Sequence, residues 1–344
     1  TWEQYDENRT GGYGGLYGDV VNLTHPLGMV DDNLMKRYSD NVKIFANAYV
    51  SVELMKGLKY KLNLTPDFQF YRYNSYEGLF DFGLAKHDIT AVTEQQTRTR
   101  NILVENLLTF DRTFGDHKVS ALVGYTYQDS RYRYMQGSGQ GMPTGITEID
   151  AASQGLAVSG NSSRSVLTSI LGRAFYSYKN RYLLTATIRR DGSSKLSKQQ
   201  RWKNFYSISG FWRISQENFL KDYSWLSDLK VRYNYGKTGS VEGISNYERY
   251  SAIKTGGTLF GEDPSHHTSL WIDGMRSDQR TWETIDSHNF GLDFAFLNNR
   301  LRGSFDYFIK TNNGMFIGVD YPSVLGAGAP KTNNGKLRAK MNEI

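Results

Sequence analysis

The most constraining feature of the sequence is a pair of alternating runs that meet at a short polar turn, Lys179-Asn180-Arg181. Alternation with a period of two is typical of β-strands that have one apolar face. Aromatic residues end the apolar stripe beside the turn, where a ring with a wet hydroxyl suits a boundary between membrane and water. The apolar face is formed by Ala174, Tyr176 and Tyr178, then Tyr182, Leu184, Ala186 and Ile188, and a third run adds Tyr206, Ile208, Gly210, Trp212 and Ile214.

The same pattern recurs along the chain. Residues 41–54 and 58–70 alternate around a turn at Lys56-Gly57. Both runs exceed the ~5–6 residues of an ordinary globular strand and fit the ~9–11 residues that cross a membrane at a tilt. In total we predict about eleven strands: 41–54, 58–70, 98–110, 119–128, 166–178, 182–190, 206–214, 229–235, 290–296, 301–307 and 336–344.

Short turns alternate with long polar connections, which we place at residues 73–95, 132–163, 236–285 and 312–334. Short turns at one end and long loops at the other are typical of bacterial outer-membrane barrels. In lipid, every backbone polar group needs a partner, so such a sheet must close. Eleven is odd, whereas bacterial single-chain barrels have even strand numbers. The sequence therefore predicts an all-β fold, a partial transmembrane antiparallel β-barrel that belongs to a larger one.

The composition agrees with strands that have one polar face. Hydrophobic residues make up only 39% of the chain but aromatic residues reach 14%, and mean hydropathy is −0.56. Cysteine is absent, which excludes disulfides and thiolate chemistry. The net charge of +6 comes from scattered Lys and Arg, so we expect no nucleic-acid binding.

Motifs for catalysis or cofactor binding are incomplete. Gly236–Ser240 resembles the end of a phosphate loop, but the glycine required five residues earlier is Val231. His266 and His267 are adjacent without further ligands, and no G-x-S-x-G elbow occurs. Asp31-Asp32-Asn33 lacks the spaced carboxylates and the glycine of a calcium loop. Backbone carbonyl oxygens of loops can also hold Ca²⁺, so a loop-bound Ca²⁺ stays an open alternative. We expect no other cofactor and no enzymatic activity.

Residues 171–340 carry an ordered series of segments that resembles the SusC/RagA family of TonB-dependent outer-membrane transporters. The segments are YLLTATIRRDGSS at 182–194, Arg201-Trp202, ISGFWRIS at 208–215, WLSDLKVR at 225–232, YGKTG at 235–239, WET at 282–284, NFGLD at 289–293, LNNRL at 297–301 and DYF at 306–308.

The resemblance implies a 22-strand barrel in the outer membrane of a Gram-negative bacterium. It also implies a plug inside the barrel, a SusD-like surface lipoprotein as a lid, and energy from the TonB-ExbB-ExbD system. The cargo would be an oligosaccharide or a peptide. On this basis residues 1–344 are part of one barrel domain, and the N-terminal plug and first barrel strands are absent from this sequence.

Aromatic residues on the long-loop side are the candidate substrate-binding residues, because flat rings stack on sugar faces. They are Tyr132, Tyr134, Trp202, Tyr247, Trp271 and Trp282. The alternative is that these rings form an outer aromatic girdle or pack the loops together.

Four other functions remain compatible with the sequence. A passive porin or an adhesin would use the same barrel. A membrane-embedded hydrolase would need a rim histidine such as His266, His267 or His288. A soluble β-sandwich lectin is the fourth reading of the strand pattern.

Overall fold

The computed structural model describes residues 5–14, 25–82, 85–257, 268–274, 276–318, 322, 324 and 332–343. Within these ranges the chain consists mainly of β-strands, with three short 3-10 helices at Gly28–Val30, Ile149–Ala151 and Ile214–Gln216. Among the described residues, no helix is long and apolar enough to cross a membrane.

The sixteen strands within the described residues are numbered in chain order. They are β1 Met35–Phe45, β2 Ala48–Met55, β3 Leu58–Glu77, β4 Phe80–Asp81, β5 Lys86–His87, β6 Ala91–Phe114, β7 His117–Gln140, β8 Gln154–Tyr178, β9 Tyr182–Ser193, β10 Trp202–Arg213, β11 Leu226–Ser240, β12 Ala252–Gly257, β13 Thr268–Gly274, β14 Glu283–Phe296, β15 Leu301–Ile317 and β16 Thr332–Glu343.

One large sheet contains twelve of these strands. Its order is β1-β3-β6-β7-β8-β9-β10-β11-β14-β15-β16, and β2 pairs with β3. Two small sheets are formed by β4 with β5 and by β12 with β13. Because β1 and β2 together cover one predicted run, the prediction of about eleven antiparallel strands is confirmed.

The chain divides into two compact units. Unit one comprises residues 1–46, 65–102 and 130–164, and unit two comprises 47–64, 103–129 and 165–344. Among the described residues, unit one has two small apolar clusters, one containing Phe82 and the other Val92. The described part of unit two has one, which contains Phe205 and Trp282.

The predicted hairpin of β8 and β9 forms, and its two predicted apolar runs lie on one face. Tyr178 pairs with Tyr182 and Ala174 pairs with Ala186, while Ile208 of β10 pairs with Ala186 from the other side. In the turn, Lys179 and Asn180 have φ of 50° and 55°. Two consecutive left-handed residues match the right-handed twist of the flanking strands, which explains why so short a turn suffices.

The predicted strand at 41–54 is divided into β1 and β2, which is a correction. The pairing register does not change across the break, since Phe45 pairs with Asp67 and Ala48 pairs with Leu64. The cause is Pro66, which lies opposite Ala46. The N–H of Ala46 donates to the Pro66 carbonyl oxygen at 3.1 Å, but proline has no N–H to return the bond.

The predicted long connections are too long, which is a second correction. β3 continues to Glu77, β7 continues to Gln140, and β8 begins at Gln154. These extensions lack a clean apolar stripe, so the sequence gives no period-two signal there, yet backbone pairing with a neighbouring strand holds them extended. Tyr132 and Tyr134 therefore lie within β7 and not in a loop.

Candidate functional site

One face of the unit-two part of the sheet carries a continuous apolar stripe. Ala186 lies between Ala174 and Ile208 in neighbouring strands. On β14, Leu292 lies between Val231 and Phe305 in the same way. The large side chains of this face, such as Leu184, Ile188 and Ile208, are exposed. An exposed apolar surface of this kind is suited to contact with lipid.

Aromatic rings border the stripe at the short-turn end. Tyr178 and Tyr182 stack with centroids 6.3 Å apart, and Tyr182 and Trp212 stack at 6.4 Å. Trp225 and Phe296 continue the row at 5.8 Å. This arrangement is the aromatic girdle expected where an apolar band meets the aqueous phase.

Glu217, in the connection after β10, fixes two of these rings. The Tyr182 hydroxyl donates to its carboxylate at 2.6 Å, and the Trp212 indole N–H donates at 3.1 Å. Arg181 lies 3.7 Å away. The hydrogen bond from Tyr182, then that from Trp212, lowers the pKa of Glu217 below its ordinary value of 4.5.

The opposite face of the same strands is charged. The guanidinium group of Arg232 donates to both carboxylate oxygens of Asp293, at 3.0 and 2.8 Å, and to Asp306 at 2.9 Å. The Nζ atom of Lys230 lies 2.7 Å from the Oδ2 atom of Asp293. Gly291 leaves room for this cluster, since a Cβ there would lie 2.6 Å from the Arg232 Cζ atom. The sheet thus has one apolar and one charged face.

The charged face continues on the strands of the central hairpin and on β3. Arg189 donates to both carboxylate oxygens of Asp191, at 2.7 and 2.9 Å, and to the Ser169 hydroxyl at 3.0 Å. The side-chain amide of Asn63, which is buried, donates to Glu105 at 2.8 Å. Such a face suits a hydrated barrel interior.

The described long connections of unit two pack into a loop platform, defined by residues 194–201, 241–251, 276–283, 314–318 and 332–333. Its core contains Leu196, Ile244 and Trp282, which pack against Phe205 of β10. Phe205 and Trp282 meet edge to face, with centroids 5.5 Å apart. The indole N–H of Trp282 donates to the carbonyl oxygen of Arg201 at 3.0 Å. The platform is therefore a packed layer and not a set of independent loops.

Polar contacts connect segments of the loop platform that are distant in sequence. The Ser197 hydroxyl donates to the carbonyl oxygen of Asp278 at 2.9 Å. The Asn333 side-chain amide donates to the carbonyl oxygens of Thr281 at 3.0 Å and Gly314 at 2.8 Å. These bonds hold the ends of three connections in one place.

The structure separates the six candidate aromatic residues by environment. Trp282 is only 4% exposed and packs the loop platform. Tyr247 and Trp271 are 48% and 45% exposed. Tyr132 is exposed and Tyr134 is partly buried, both in unit one. Of the unit-two set, Tyr247 and Trp271 are thus the long-loop rings that are about half exposed.

Trp202 lies on the apolar face of the sheet. It pairs with Gly192, and a Cβ on that glycine would come within 2.7 Å of the indole ring. The guanidinium group of Arg190 lies 5.5 Å from the centroid of the same ring. Because Tyr206 and Ile208 share its face by alternation, this position matches the girdle alternative for Trp202.

In the described part of the chain, no three or more His, Cys, Asp or Glu residues come together as a metal site. The Asp31 carboxylate instead accepts the N–H of Asn33 at 2.9 Å and the hydroxyl of Tyr13 at 3.2 Å. His266 and His267 lie outside the described residues.

The cluster around Arg232 was not identified from sequence. Its members are single charges in three strands, and no motif marks them. The one available signal was parity: Asp293 and Asp306 fall between the apolar residues of β14 and β15. The parity of these residues becomes informative only with the pairing register that the Asn298-Asn299 turn sets between β14 and β15.

Comparisons with known proteins agree with this fold. No family model matches the sequence. The chain is 30% identical over 332 residues to TonB-dependent receptor P3 of Formosa agariphila, covering 94% of this chain and 32% of that protein. It is 36% identical over 173 residues to TonB-dependent receptor SusC of Bacteroides thetaiotaomicron, covering 50% of this chain and 17% of that protein.

Among solved structures, the RagAB peptide transporter superposes with a TM-score of 0.82 at 22% identity, covering 90% of this chain and 34% of that chain. This likeness confirms the predicted fold, an antiparallel sheet that is part of a larger β-barrel. The chain spans about a third or less of the length of these relatives.

Proposed function

Because the chain belongs to the SusC/RagA family of TonB-dependent transporters, we propose that it forms part of the barrel wall of a transporter that imports nutrients across the outer membrane of a Gram-negative bacterium. The observation that carries the proposal is the two-faced sheet. Its apolar face, bordered by the row from Tyr178 to Trp212, suits lipid, and its charged face around Arg232 suits a hydrated interior.

The chain spans only part of the length of its relatives, which supports assigning different roles to different parts of the whole receptor. In this proposal all 344 residues are wall and loops of one barrel domain. The plug and the first barrel strands are supplied by other parts of the full receptor. The charged face would contact the plug, because its ion pairs offer fixed donors and acceptors to a polar partner.

Energy and gating would come from outside this chain. A SusD-like lipoprotein would cover the loop side, and the TonB-ExbB-ExbD system would displace the plug. The chain's own role is that of a rigid wall and a loop surface that holds cargo. No bond of the cargo is made or broken, so the proposed function is not enzymatic.

The cargo is proposed to be an oligosaccharide or a peptide, held between the lid, the loop platform and the charged face. Trp271 and Tyr247 are the proposed contact residues, because both rings are half exposed. A flat ring stacks on the apolar face of a sugar or on a peptide side chain, and the tyrosine hydroxyl adds a hydrogen bond. The packing of Trp282 keeps these loops in place.

Uptake by cells tests the proposal. Cells expressing the receptor are given fluorescent oligosaccharides or peptides, with and without a protonophore that collapses the proton-motive force. Energised import predicts accumulation of one cargo class and its loss with the protonophore. Import that persists without energy, or swelling of liposomes that contain the receptor, would indicate a porin.

The remaining alternatives give different results in the same cells. An adhesin would bind glycans at the surface without internal accumulation. A hydrolase would release products, and replacement of His266, His267 and His288 together would abolish that release. Recovery of the protein from cells without detergent would support a soluble lectin and contradict the transporter.

A further inference from the structure

A basic groove lies on the outward face of unit one, where the apolar surface ends. It has a volume of about 630 Å³. Val42 pairs with Phe70 and Asp40 pairs with Arg72, so all four side chains fall on one face of β1 and β3. The groove is completed on β6 and β7 by Gln96, Arg98, Arg133 and Met135.

The side chains on this face change from apolar to charged over two residues of each strand. On β3 the outward residues are Phe68 and Phe70, and the next one is Arg72. On β1 the outward residue after Ile44 and Val42, moving in the same direction, is Asp40. An apolar stripe that ends in charges marks the level at which acyl chains give way to head groups.

Three guanidinium groups face one carboxylate in the groove. Arg72, Arg98 and Arg133 are all exposed, and Asp40 is the acidic residue that lines it. Arg98 lies 5.6 Å from the centroid of Phe70. Among the described residues, none of the three arginines has a carboxylate within ion-pair distance. The groove thus offers fork-shaped donors above an apolar floor, which is the complement of a phosphate attached to acyl chains.

Since the groove lies in the long strand extensions on the side of the long loops, we propose that it binds the phosphate-bearing head group of an outer-leaflet glycolipid. Arg72, Arg98 and Arg133 contact the phosphate, while Phe70, Val42 and Met135 pack against the first acyl carbons. This inference rests on the proposed outer-membrane location. It assigns the site to lipid and not to cargo, because the groove is on the outward face.

Binding to the purified receptor in detergent tests the site. The probes are phosphorylated glycolipid extracted from Gram-negative outer membranes, the same lipid after phosphatase treatment, and inorganic phosphate. Wild type should bind the phosphorylated lipid more tightly than the treated lipid. The triple variant Arg72→Gln, Arg98→Gln, Arg133→Gln should bind on the order of 100-fold more weakly, and each single variant about 5-fold.

The matched control replaces three exposed arginines near the short turns, Arg112→Gln, Arg300→Gln and Arg302→Gln, and should leave lipid affinity unchanged.

Asp40→Asn is a further variant, which tests the groove by a gain of affinity. Removing the carboxylate should tighten binding about 5-fold, a gain that loss of folding cannot produce.

Equal affinity of wild type for the two lipid forms would overturn the proposal. Unchanged affinity in the triple variant, a loss of the same size in the control, or inorganic phosphate binding as tightly as the lipid would also overturn it. Cargo uptake is measured in parallel and should be unaffected by the triple variant. Failure of uptake in wild type would contradict the proposed function, whereas the detergent assay tests the groove alone.

Discussion

A charge placed on the apolar face of β9 should prevent stable insertion, whereas the same charge one residue later should not. Ala186 lies four residues from Tyr182 in the aromatic row, which is about 13 Å along the strand. At a tilt of about 40° this is about 10 Å of depth, close to the middle of an apolar band about 25 Å tall. Ala186→Arg should therefore cost about 2–4 kcal/mol of folding free energy in a bilayer.

The matched control is Thr187→Arg. Thr187 pairs with Arg173 and Ser207, on the charged face of the sheet. A new arginine there remains hydrated, so we expect a cost below about 1 kcal/mol. Threonine is a better strand former than alanine, so strand propensity alone would penalise Thr187→Arg more, which is the opposite of the expected difference.

The assay is denaturant unfolding of the receptor in lipid vesicles, with heat-modifiable gel migration as a measure of folded barrel in the native outer membrane. The expected result is a lowered midpoint and less folded protein for Ala186→Arg only. A larger loss for Thr187→Arg would show that the faces have been assigned the wrong way round. Equal stability of the two variants would contradict the difference between the two faces.

Three further predictions concern the girdle, a cross-strand glycine and the loops. Glu217 has a lowered pKa, so its contribution to the free energy of unfolding is present above about pH 4.5 and lost as the pH falls through the lowered value. Glu217→Gln should therefore make the free energy of unfolding depend less on pH in the acid range, and an unchanged dependence would contradict this. Gly303→Ala places a Cβ 2.4 Å from a phenylalanine ring and should cost about 1–3 kcal/mol, whereas Gly210→Ala meets only ordinary contacts and should be the milder change in the same unfolding assay. Trp282→Ala should cost about 3–5 kcal/mol and speed proteolysis of the loops, while Trp271→Ala should leave proteolysis unchanged and weaken cargo binding about 10-fold; equal proteolysis of these two variants would refute the packing role.

Where an apolar stripe is present, the sequence predicts the strands and their pairing. Alternation around the turns at Lys179-Asn180 and Asn298-Asn299 is enough to set the register, because a shift of one residue would move every apolar side chain to the other face. The register of Phe290 with Tyr307 and of Tyr178 with Tyr182 follows directly.

Prediction fails where the strands leave the apolar band. The extensions of β3, β6, β7 and β8 carry no unbroken apolar stripe, so they look like loops in sequence although they remain paired. The break at Pro66 was also missed, because alternation continues through it while the backbone loses a donor.

The candidate site was harder to predict from the sequence than the fold was. Residue type alone does not separate Trp271, Trp202 and Trp282, because an exposed contact ring, a girdle ring and a packing ring share one chemistry. Their roles depend on which face of a strand they occupy and which connection covers them.

The sequence by itself determines that this chain forms an antiparallel sheet with one apolar face, since period-two alternation has few other solutions and the polar turns set the register. Only the tertiary structure decides what lies together across strands. It brings Arg232 to Asp293 and Asp306 from three strands and closes the loop platform over Trp282. It also gathers three arginines beside Phe70. These groups depend on strand neighbours that are far apart in sequence, and the spacing along any one strand does not encode them.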